Sequence, residues 1–546
     1  MRPRRVLLLL TSFIATVAAI SALSYAYKDR ISSEVTYLSY YFSPAHRVPP
    51  YVPPLPQQDG AGAVSQGTLQ NNAGEMSMQD NAGEMSKDAP LFVSEDVQVY
   101  RPWGPPRHDT LEYSTDKPLL PDDLRGVRRA LLGGAAGKRA AKESGWWRDM
   151  RMSEEDILRD KWYRFGGAPL WLAREGCYVV YTRVAYSRVG RRNRPHLSVV
   201  RGQAFDANWN ELHGKYVPFL DTAQSEQYDG DSGVTYPAFF EVPFDVECDW
   251  NGPEDPHVVA VDSPRGPASE PLIVFNMFSR RHGRGMYVLR PHRQLQPLTR
   301  LQMPPGLQPR LLEKNWTPVQ ETSAQGDSTT HLLFVYALAP LRVLRCALDS
   351  GACATVYAAP ALGLPDWDVH GEDVRGGTQF VPLPPGSLGP GAEYSRAWVG
   401  FPKLHTVLCG CGREYYRPML AVLTETAAGD DVPPTYALEA LVPTLGFGID
   451  VRAWDLQGSH CDMLNVLAPN AIARWDVGKS DDYMTITVSE ADAQTRVVVL
   501  RGVLGLVRAA LDARRQSGVR DVSRMVAAAL QDAEQQCARY GQLHTQ

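Results

Sequence analysis

The stretch "ECDWNGPEDPHVVAVD", residues 247–262, joins a polar, turn-forming half to an apolar half. Its first ten residues include four acids, two prolines and a glycine, whereas Val258 to Val261 has the composition of a buried strand. Proline lacks an N–H and therefore fits the beginning of a strand better than the middle of a sheet. Because an unpaired carboxylate is costly inside a core, Glu254 and Asp255 predict a strand that begins at an open, polar place.

Similar β-rich runs recur from about residue 160 to residue 500, separated by Gly, Pro, Asn and Asp. Examples are "CYVVYTRVAYS" (177–187), "PLIVFNMFS" (271–279) and "RVVVLRGVL" (496–504). No long helices alternate with these runs, which favours antiparallel sheets over a βαβ fold. The runs form about five sets, so the sequence predicts a mainly β protein with a five-bladed β-propeller. The inner strand of each blade then begins at a central channel, and Asp255 points into that channel.

The N-terminal region predicts a membrane anchor. After three arginines, residues 6–27 carry no charge and are long enough to cross a bilayer, which indicates a cytoplasmic tail and a transmembrane signal anchor in residues 1–27. A cleaved signal peptide is the alternative. Residues 28–95 are rich in Pro, Gln, Asn and Gly and repeat Asn-Ala-Gly-Glu-Met-Ser, so they predict a disordered stem.

Three further segments complete the predicted organisation. They are an N-terminal helical or irregular extension (96–160), a β-propeller catalytic domain (161–500) and a C-terminal helical segment (501–546), where apolar residues recur at helical spacing. An anchor, a stem and a large body predict a single-pass type II protein of the Golgi membrane, with its body in the lumen.

Charge and cysteine usage narrow the function classes. The chain has 56 Lys and Arg against 61 Asp and Glu, so no nucleic-acid partner is expected. Its eight cysteines could all form disulfides in an oxidising lumen. The spacing of Cys409-Gly410-Cys411 does not suit a zinc site, which favours structural cysteines. Asp245-Val246-Glu247 and Glu247-Cys248-Asp249 are weak metal motifs, so a divalent metal remains unknown and no cofactor is assigned.

Several long motifs carry a resemblance to a known family. "DKWYRFGGAPLWL" (160–172), "SVVRGQAFDANWNEL" (198–212) and "CGCGREYYRPMLAVL" (409–423) resemble the fungal β-mannosyltransferases, and the likeness runs from about residue 160 to 500. The resemblance implies transfer of mannose from GDP-mannose to form β-1,2-linked mannose on cell-wall mannan. The implied partners are a mannan or oligomannoside acceptor and the membrane.

Shorter motifs are similar to those of the β-mannoside phosphorylases, which are five-bladed propellers. These motifs are "GPEDPHVV" (252–259), "KNWTPV" (314–319) and "RGGTQFVPL" (375–383). The likeness implies acid–base chemistry at Asp255, which in a transferase would accept the proton of an acceptor hydroxyl. Forming a β-mannoside from an α-linked sugar nucleotide inverts the anomeric carbon, and inversion requires one base and no covalent intermediate. His257 departs from the phosphorylases, which have Arg there.

The remaining site predictions concern substrate binding. Glu254 could hold a sugar hydroxyl or raise the pKa of Asp255, and a turn-capping role is the structural alternative for Asp255. A nucleotide leaving group also requires cations. The cationic candidates are Arg280, Arg281, Arg284, Lys314, Arg375, Lys403, His405 and Arg417. The predicted substrate-binding set is Glu254, Lys314, Asn315, Trp316, Arg375, His405, Arg417 and Arg281.

Asn315-Trp316-Thr317 is also an N-glycosylation sequon. The resemblance places it in the channel instead, so Asn315 is expected to be unmodified and to contact sugar. Two other functions stay open on the sequence: a β-1,2-mannoside phosphorylase or hydrolase, and a non-catalytic mannan-binding propeller.

Overall fold

The computed structural model describes residues 92–93, 98–99, 107–108, 111–114, 124–133, 138 and 151–544, with gaps at 221–232, 241, 243–250, 264–265, 295–297, 311–312, 322–329, 361–372, 385, 388–393, 428–432, 444, 457, 479–480 and 518–521. These residues belong to one compact unit, residues 86–546. The predicted anchor (1–27) and nearly all of the predicted stem (28–95) lie outside the described residues. Within the described ranges, no helix is both long and apolar enough to cross a membrane.

Five antiparallel blades form the predicted propeller. From the innermost strand outward, blade 1 contains β5 (Trp162–Leu172), β6 (Cys177–Tyr186), β7 (Leu197–Phe205) and β10 (Ala238–Phe240); blade 2 contains β11 (Glu254–Ser263), β12 (Gly266–Ser279), β13 (Gly283–Leu289) and β14 (Leu298–Arg300); blade 3 contains β15 (Thr317–Val319), β16 (His331–Leu338), β17 (Leu341–Ala347) and β18 (Cys353–Ala358); blade 4 contains β20 (Val381–Pro382), β21 (Arg396–Gly400), β24 (Leu420–Thr426) and β25 (Thr435–Val442); blade 5 contains β26 (Leu464–Val477), β27 (Asp482–Glu490), β28 (Gln494–Arg501), β4 (Glu112–Ser114) and β1 (Phe92–Val93).

Blade 5 shows that the predicted stem ends too late. β1 lies within residues 28–95 but pairs with β4, where Phe92 lies opposite Tyr113. Two small ribbons lie outside the blades: β2 (Gln98–Val99) with β3 (Arg107–His108), and β8 (Lys215–Pro218) with β9 (Gly233–Tyr236).

The blades pack face to face, which explains the apolar runs in the sequence. Successive residues of a strand point to opposite faces, and an inner strand of a propeller is covered on both. In β12, Ile273 and Phe275 pack against blade 1, whereas Leu272 and Val274 pack against blade 3. Each remaining pair of neighbouring blades encloses a further buried cluster. Burial of these apolar surfaces is therefore the main force that closes the ring.

Four helices accompany the propeller in the described ranges. They are α1 (Leu124–Gly133), α2 (Glu154–Lys161), α3 (Val503–Ser517) and α4 (Val522–His544). α3 packs on the cluster between blades 4 and 5, and α4 packs on the cluster between blades 3 and 4. Both lie within the predicted C-terminal helical segment.

An inserted hairpin interrupts blade 4. It consists of β22 (Lys403–Val407) and β23 (Glu414–Pro418), lies between β21 and β24 in the chain, and pairs with β19 (Asp373–Arg375) and with β26. Its turn carries Cys409, disulfide-bonded to Cys537 of α4, and Cys411, disulfide-bonded to Cys461. The prediction that these two cysteines are structural is confirmed.

The other cysteines are treated differently. Cys346 and Cys353 form a disulfide between β17 and β18. Cys177 is a buried free thiol, so the expectation that all eight cysteines could be paired is wrong at this position. Cys248 lies outside the described residues.

Candidate active site

Asp255 stands at the beginning of the inner strand of blade 2, on a β-bulge. Glu254 pairs with Asn276 and His257 pairs with Val274, so two residues of β11 lie opposite one residue of β12. Asp255 has a left-handed backbone (φ 51°), and Pro256 has no N–H that would need a partner in the sheet. The bulge turns the Asp255 carboxylate away from the sheet, and 43 % of this side chain is exposed.

A close backbone contact fixes the chain just before Asp255. At Gly252 (φ 87°), a Cβ atom would lie 2.0 Å from the carbonyl oxygen of Ser198 in β7, so only glycine fits. The hydroxyl of Ser198 donates to the carbonyl of Pro253 (2.6 Å) and accepts a hydrogen bond from Nε of Arg183 (3.0 Å). Blade 1 therefore holds the segment that presents Asp255.

Arg183 is the cation nearest to Asp255 among the printed ion pairs. It lies in the fully buried strand β6, and its Nη1 is 3.5 Å from Oδ1 of Asp255. Its other Nη atom is 4.0 Å from Oε1 of Glu254. Glu254 is only 12 % exposed and accepts a hydrogen bond from Nη1 of Arg284 (2.7 Å). Glu254 thus faces two arginines, and most of its side chain is withdrawn from the opening.

The surrounding charges set the protonation state of Asp255. Burial raises its pKa, but the positive charges of Arg183, Lys403 and Lys314 outweigh burial and hold the pKa below the usual value for Asp. Asp255 is therefore ionised at neutral pH. The suggestion that Glu254 raises this pKa is wrong in the net direction, because the cations dominate.

Charged groups from four blades meet at this place. Asp255 interacts with Lys314, which precedes blade 3, with Lys403 of the inserted hairpin, and with Asp492. Asp492 lies in the turn between β27 and β28 of blade 5. Groups from so many blades can approach one another only near the propeller axis, so the site lies at one end of the central channel.

Asp492 and Asp255 have opposite pKa shifts. Burial and the negative charge of Asp255 raise the pKa of Asp492, although Lys403 and Arg192 act against this rise. Burial lowers the pKa of the Lys403 ammonium group, and the two carboxylates partly restore it. Two carboxylates with divergent pKa values at one site are typical of acid–base chemistry.

The segment before blade 3 presents Lys314 and buries its neighbour. Trp316 is only 1 % exposed, and its indole N–H donates to Oε2 of Glu313 (2.9 Å). Glu313 also accepts a hydrogen bond from the hydroxyl of Tyr336 (3.1 Å). Trp316 therefore has almost no surface with which to contact sugar, which corrects its predicted role: it anchors the segment. Lys314 and Asn315 are half-buried, and Asn315 has a left-handed backbone (φ 61°).

Arg375 lies beside the same opening and is held by two bonds. Its Nε donates to Asp373 (2.5 Å) and its Nη1 donates to the hydroxyl of Tyr416 (2.7 Å). At the following Gly376, a Cβ atom would lie 2.3 Å from the carbonyl oxygen of Asn315. The glycine of the "RGGT" segment thus allows the chains before blades 3 and 4 to touch.

The two faces of the inserted hairpin separate His405 from Arg417. His405 stacks on Tyr416 (4.3 Å between ring centres), and its Nε2 is 3.3 Å from Oε2 of Glu414. His405 is almost fully buried, so it supports Tyr416 from below. Arg417 lies on the opposite face and bonds Gln536 of α4. The predicted substrate contact of Arg417 is therefore wrong.

Two further predicted positions are resolved by their surroundings. Arg281 lies on the exposed turn between β12 and β13, and Arg284 of the same hairpin is the residue that bonds Glu254. Burial and the charge of Lys403 lower the pKa of His257 to about 4, so this imidazole is neutral above that pH. The positive charge that Arg supplies in the phosphorylases comes here from other residues.

Sequence reasoning did not select Arg183, Lys403 or Asp492 for the site. Arg183 had a usable signal, because an arginine in a strand of otherwise small and apolar residues needs a partner. Lys403 stood among the cationic candidates, but nothing local raised it above the others. Asp492 resembles any acid in a hairpin turn, and only the closure of the ring brings it to Asp255.

No metal centre is formed by the residues that the structure describes, since no three His, Cys, Asp or Glu side chains there could hold an ion. The weak motifs around Asp245 and Asp249 fall in a gap of the described residues.

Comparison with known proteins assigns the class and the family. A family model described as beta-mannosyltransferases matches residues 140–286 and 296–540. Beta-mannosyltransferase 4 of Komagataella phaffii is 34 % identical over 444 residues, which cover 79 % of this chain and 80 % of that protein. Beta-mannosyltransferase 3 of Candida albicans is 33 % identical over 373 residues, covering 66 % of this chain and 62 % of that protein.

A solved structure with a similar chain course is the beta-1,2-mannobiose phosphorylase from Listeria innocua. It has a TM-score of 0.31 and 11 % identity and covers 63 % of this chain and 91 % of that one. The propeller described here is thus the scaffold of a glycosyltransferase. The family match extends over most of the chain, and the protein belongs to the β-mannosyltransferase family.

Proposed function

We propose that this protein transfers mannose from GDP-mannose, with inversion, and forms β-1,2-linked mannose on cell-wall mannan. The observation that carries the proposal is the ionised Asp255 carboxylate at the end of the channel, surrounded by Arg183, Lys314 and Lys403. An anionic base within a cationic cluster suits a reaction in which a hydroxyl loses a proton and a diphosphate departs.

In the proposed reaction, Asp255 accepts the proton of an acceptor hydroxyl as its oxygen attacks the anomeric carbon of mannose. The new carbon–oxygen bond forms on the face opposite to the leaving group, while the bond from the anomeric carbon to the phosphate oxygen breaks. The bonding electrons leave with the nucleoside diphosphate. The lowered pKa of Asp255 keeps it ready as a base at neutral pH.

The cations would hold the diphosphate. Lys314, Lys403 and Arg375 come from different segments, and their charges interact, so they can approach one anionic group together. Arginine suits two-pronged contacts with phosphate oxygens, whereas lysine acts as a point charge. Asp492, half-buried beside Asp255, would accept a hydrogen bond from a sugar hydroxyl and thereby orient the mannose.

The cellular setting is part of the proposal. Three arginines precede an uncharged stretch in residues 1–27, which supports a type II orientation in the Golgi membrane. In sealed vesicles, added protease should remove a tag at the N-terminus and leave the propeller intact. Protection of the tag with loss of the propeller would contradict this orientation.

The activity is tested with the full-length protein in detergent. It is incubated with a mannan oligosaccharide and either GDP-mannose or mannose 1-phosphate, and the linkage of any product is determined by NMR. β-1,2-linked product from GDP-mannose alone supports the proposal. Product from mannose 1-phosphate alone indicates a phosphorylase, and retention of the oligosaccharide without turnover indicates a binding propeller.

Asn315 provides a second test of the channel assignment. Thr317 of the sequon is buried and Asn315 touches the segment before blade 4, so the position leaves little room for a glycan. Peptide mass spectrometry should find Asn315 unmodified, and an intact glycan there would contradict a role in the channel.

A further inference from the structure

The loop between β6 and β7, residues 187–196, is a built structure on the end of the propeller that carries Asp255. Ser187 is buried, and its hydroxyl donates to the carbonyl of Arg194 (2.9 Å) and accepts a hydrogen bond from the amide of Arg191 (3.0 Å). These internal bonds close the loop on itself. We call residues 187–196 the bridging loop, for the contacts described next.

At one end the bridging loop is bonded to the segment that leads to Asp255. The side-chain amide of Asn251 donates to the carbonyl of His196 (3.0 Å), and the main-chain amide of Asn251 donates to the carbonyl of Pro195 (3.3 Å). Asn251 and His196 are both buried. The loop therefore moves only together with the beginning of blade 2.

At its other end the loop reaches blade 5 through one side chain. Nη1 of Arg192 donates to the carbonyl of Trp454 (2.7 Å) and to the carbonyl of Ala491 (3.0 Å). Its guanidinium group also lies over the ring of Tyr163 (5.4 Å), which limits its freedom. Ala491 directly precedes Asp492 in the chain, so this contact ends one residue from the second carboxylate.

The turn that Arg192 contacts has an unfavourable backbone. Ala491 and Asp492 are both left-handed, with φ values of 57° and 46°, a conformation that alanine avoids. Such a turn persists only when surrounding bonds hold it. The amides of Ala491 and Ala493 donate to the carbonyls of Val466 (2.8 Å) and Glu490 (3.0 Å), and Arg192 adds the only bond to this turn that the structure describes from blade 1.

We propose that the bridging loop sets the distance between Asp255 and Asp492, and that Arg192 is the positioning residue that holds Asp492 in the site. The loop is bonded to the backbone on both sides: Asn251 precedes Asp255, and Ala491 precedes Asp492. The catalytic part of this inference rests on the proposed function, in which the two carboxylates act on one sugar, whereas the positioning itself does not.

The positioning is tested by hydrogen–deuterium exchange of the full-length protein. Arg192→Met keeps the length of the side chain and removes its N–H groups, and Arg188→Met changes an exposed arginine of the same loop as a control. In Arg192→Met, the amides of Ala491 and Ala493 should exchange about tenfold faster or more, while those of β12 remain unchanged. Equal exchange in the two variants would overturn the inference whatever reaction the protein catalyses.

Kinetics then test whether the position matters. Arg192→Met should lower kcat about 10- to 100-fold with little change in KM, since positioning affects the transition state more than binding. In an Asp492→Asn background the same change should cause no further loss, because its target is already gone. Losses that multiply would show that Arg192 acts elsewhere. Equal melting temperatures of Arg192→Met and Arg188→Met exclude a general loss of folding as the cause.

The proposed function fails by a separate observation. If Asp255→Asn retains its turnover, Asp255 is not the base, but the exchange experiment on Arg192 keeps its meaning.

Discussion

Blades 2 and 3 begin with the same backbone shape and use it differently. In each, a residue with a left-handed backbone comes at or just before the inner strand: Asp255 with φ 51° and Asn315 with φ 61°. Asp and Asn tolerate this conformation better than other residues that carry a side chain. In blade 2 the left-handed residue is itself the charged group of the site. In blade 3 the charged group is Lys314, one residue earlier.

The difference teaches how each group is held in place. Pro256, which follows Asp255, donates no hydrogen bond, and the Asp255 carboxylate is held by the charges around it, with Arg183 at 3.5 Å. Trp316, which follows Asn315, is buried and bonded to Glu313, so Lys314 is presented by an anchored core residue. Changes at blade 2 should therefore affect chemistry, and changes at blade 3 should affect stability first.

Asp255→Asn should have the largest effect on activity. The amide keeps the shape of the side chain but cannot accept the proton, so kcat should fall about 10²- to 10⁴-fold. Binding of the oligosaccharide, measured by calorimetry, should persist. Asp349→Asn on the exposed surface of blade 3 is the matched control and should keep full activity. Substantial turnover by Asp255→Asn would remove this residue from the mechanism.

Trp316→Ala should have the largest effect on stability. Removal of a buried indole leaves a cavity and an unpaired Glu313, and costs about 3–5 kcal/mol in the free energy of unfolding. Trp316→Phe fills most of the cavity and should cost less. Urea unfolding measures both. Unchanged stability with lost activity in Trp316→Ala would return Trp316 to the sugar-contacting role that the sequence suggested.

Lys314→Met should weaken binding of the donor while the fold remains stable. The loss of one charge-assisted contact with a diphosphate corresponds to about 1.5–3 kcal/mol, or roughly a 10- to 100-fold rise in KM for the sugar nucleotide. Lys138→Met, at an exposed position before the propeller, serves as the control. The proposal for Lys314 is refuted if KM for the nucleotide stays the same and KM for the acceptor rises.

Asn315 tests whether the shared backbone shape has an energetic cost. Asn315→Gly should be nearly neutral, because glycine adopts positive φ freely, whereas Asn315→Ala should cost about 1 kcal/mol. Thermal unfolding of the two variants gives the comparison. Equal stability of Ala and Gly would mean that the left-handed turn is not strained at blade 3.

The pH dependence should show the smallest change and connect the two blades. Lys314 is one of the charges that lower the pKa of Asp255, so Lys314→Met should raise this pKa. A base is active when ionised, and the acidic limb of kcat/KM should therefore move to higher pH, by about 0.5–1 unit. Arg281→Met, on its exposed turn, should leave the limb in place. A shift to lower pH would contradict the proximity of Lys314 and Asp255.

The sequence predicted the propeller because its apolar runs reflect burial on both faces, which is a local property of each strand. It also predicted the exposed acid, since Pro256 and the preceding polar residues indicate the beginning of a strand. The bulge is what makes Asp255 face the opening, and the residue pattern only permits it.

The rest of the site depends on geometry between blades. Trp316 and Arg417 stand in motifs that look functional, yet one is buried and the other faces α4, because a strand's two faces are assigned by its neighbours. Asp492 and Arg183 reach Asp255 from blades 5 and 1, and such meetings follow from closure of the ring. No pattern within a single strand contains that information.

The inserted hairpin carries Lys403 at its base, and its turn is covalently joined to residues far along the chain. The link from Cys409 to Cys537 spans 128 residues and that from Cys411 to Cys461 spans 50. The second partner of this turn is synthesised only after blade 5 and most of α4. The hairpin therefore cannot reach its final covalent form on a chain that is still being made, and the protein acquires its complete set of disulfides only after Cys537 has entered an oxidising compartment.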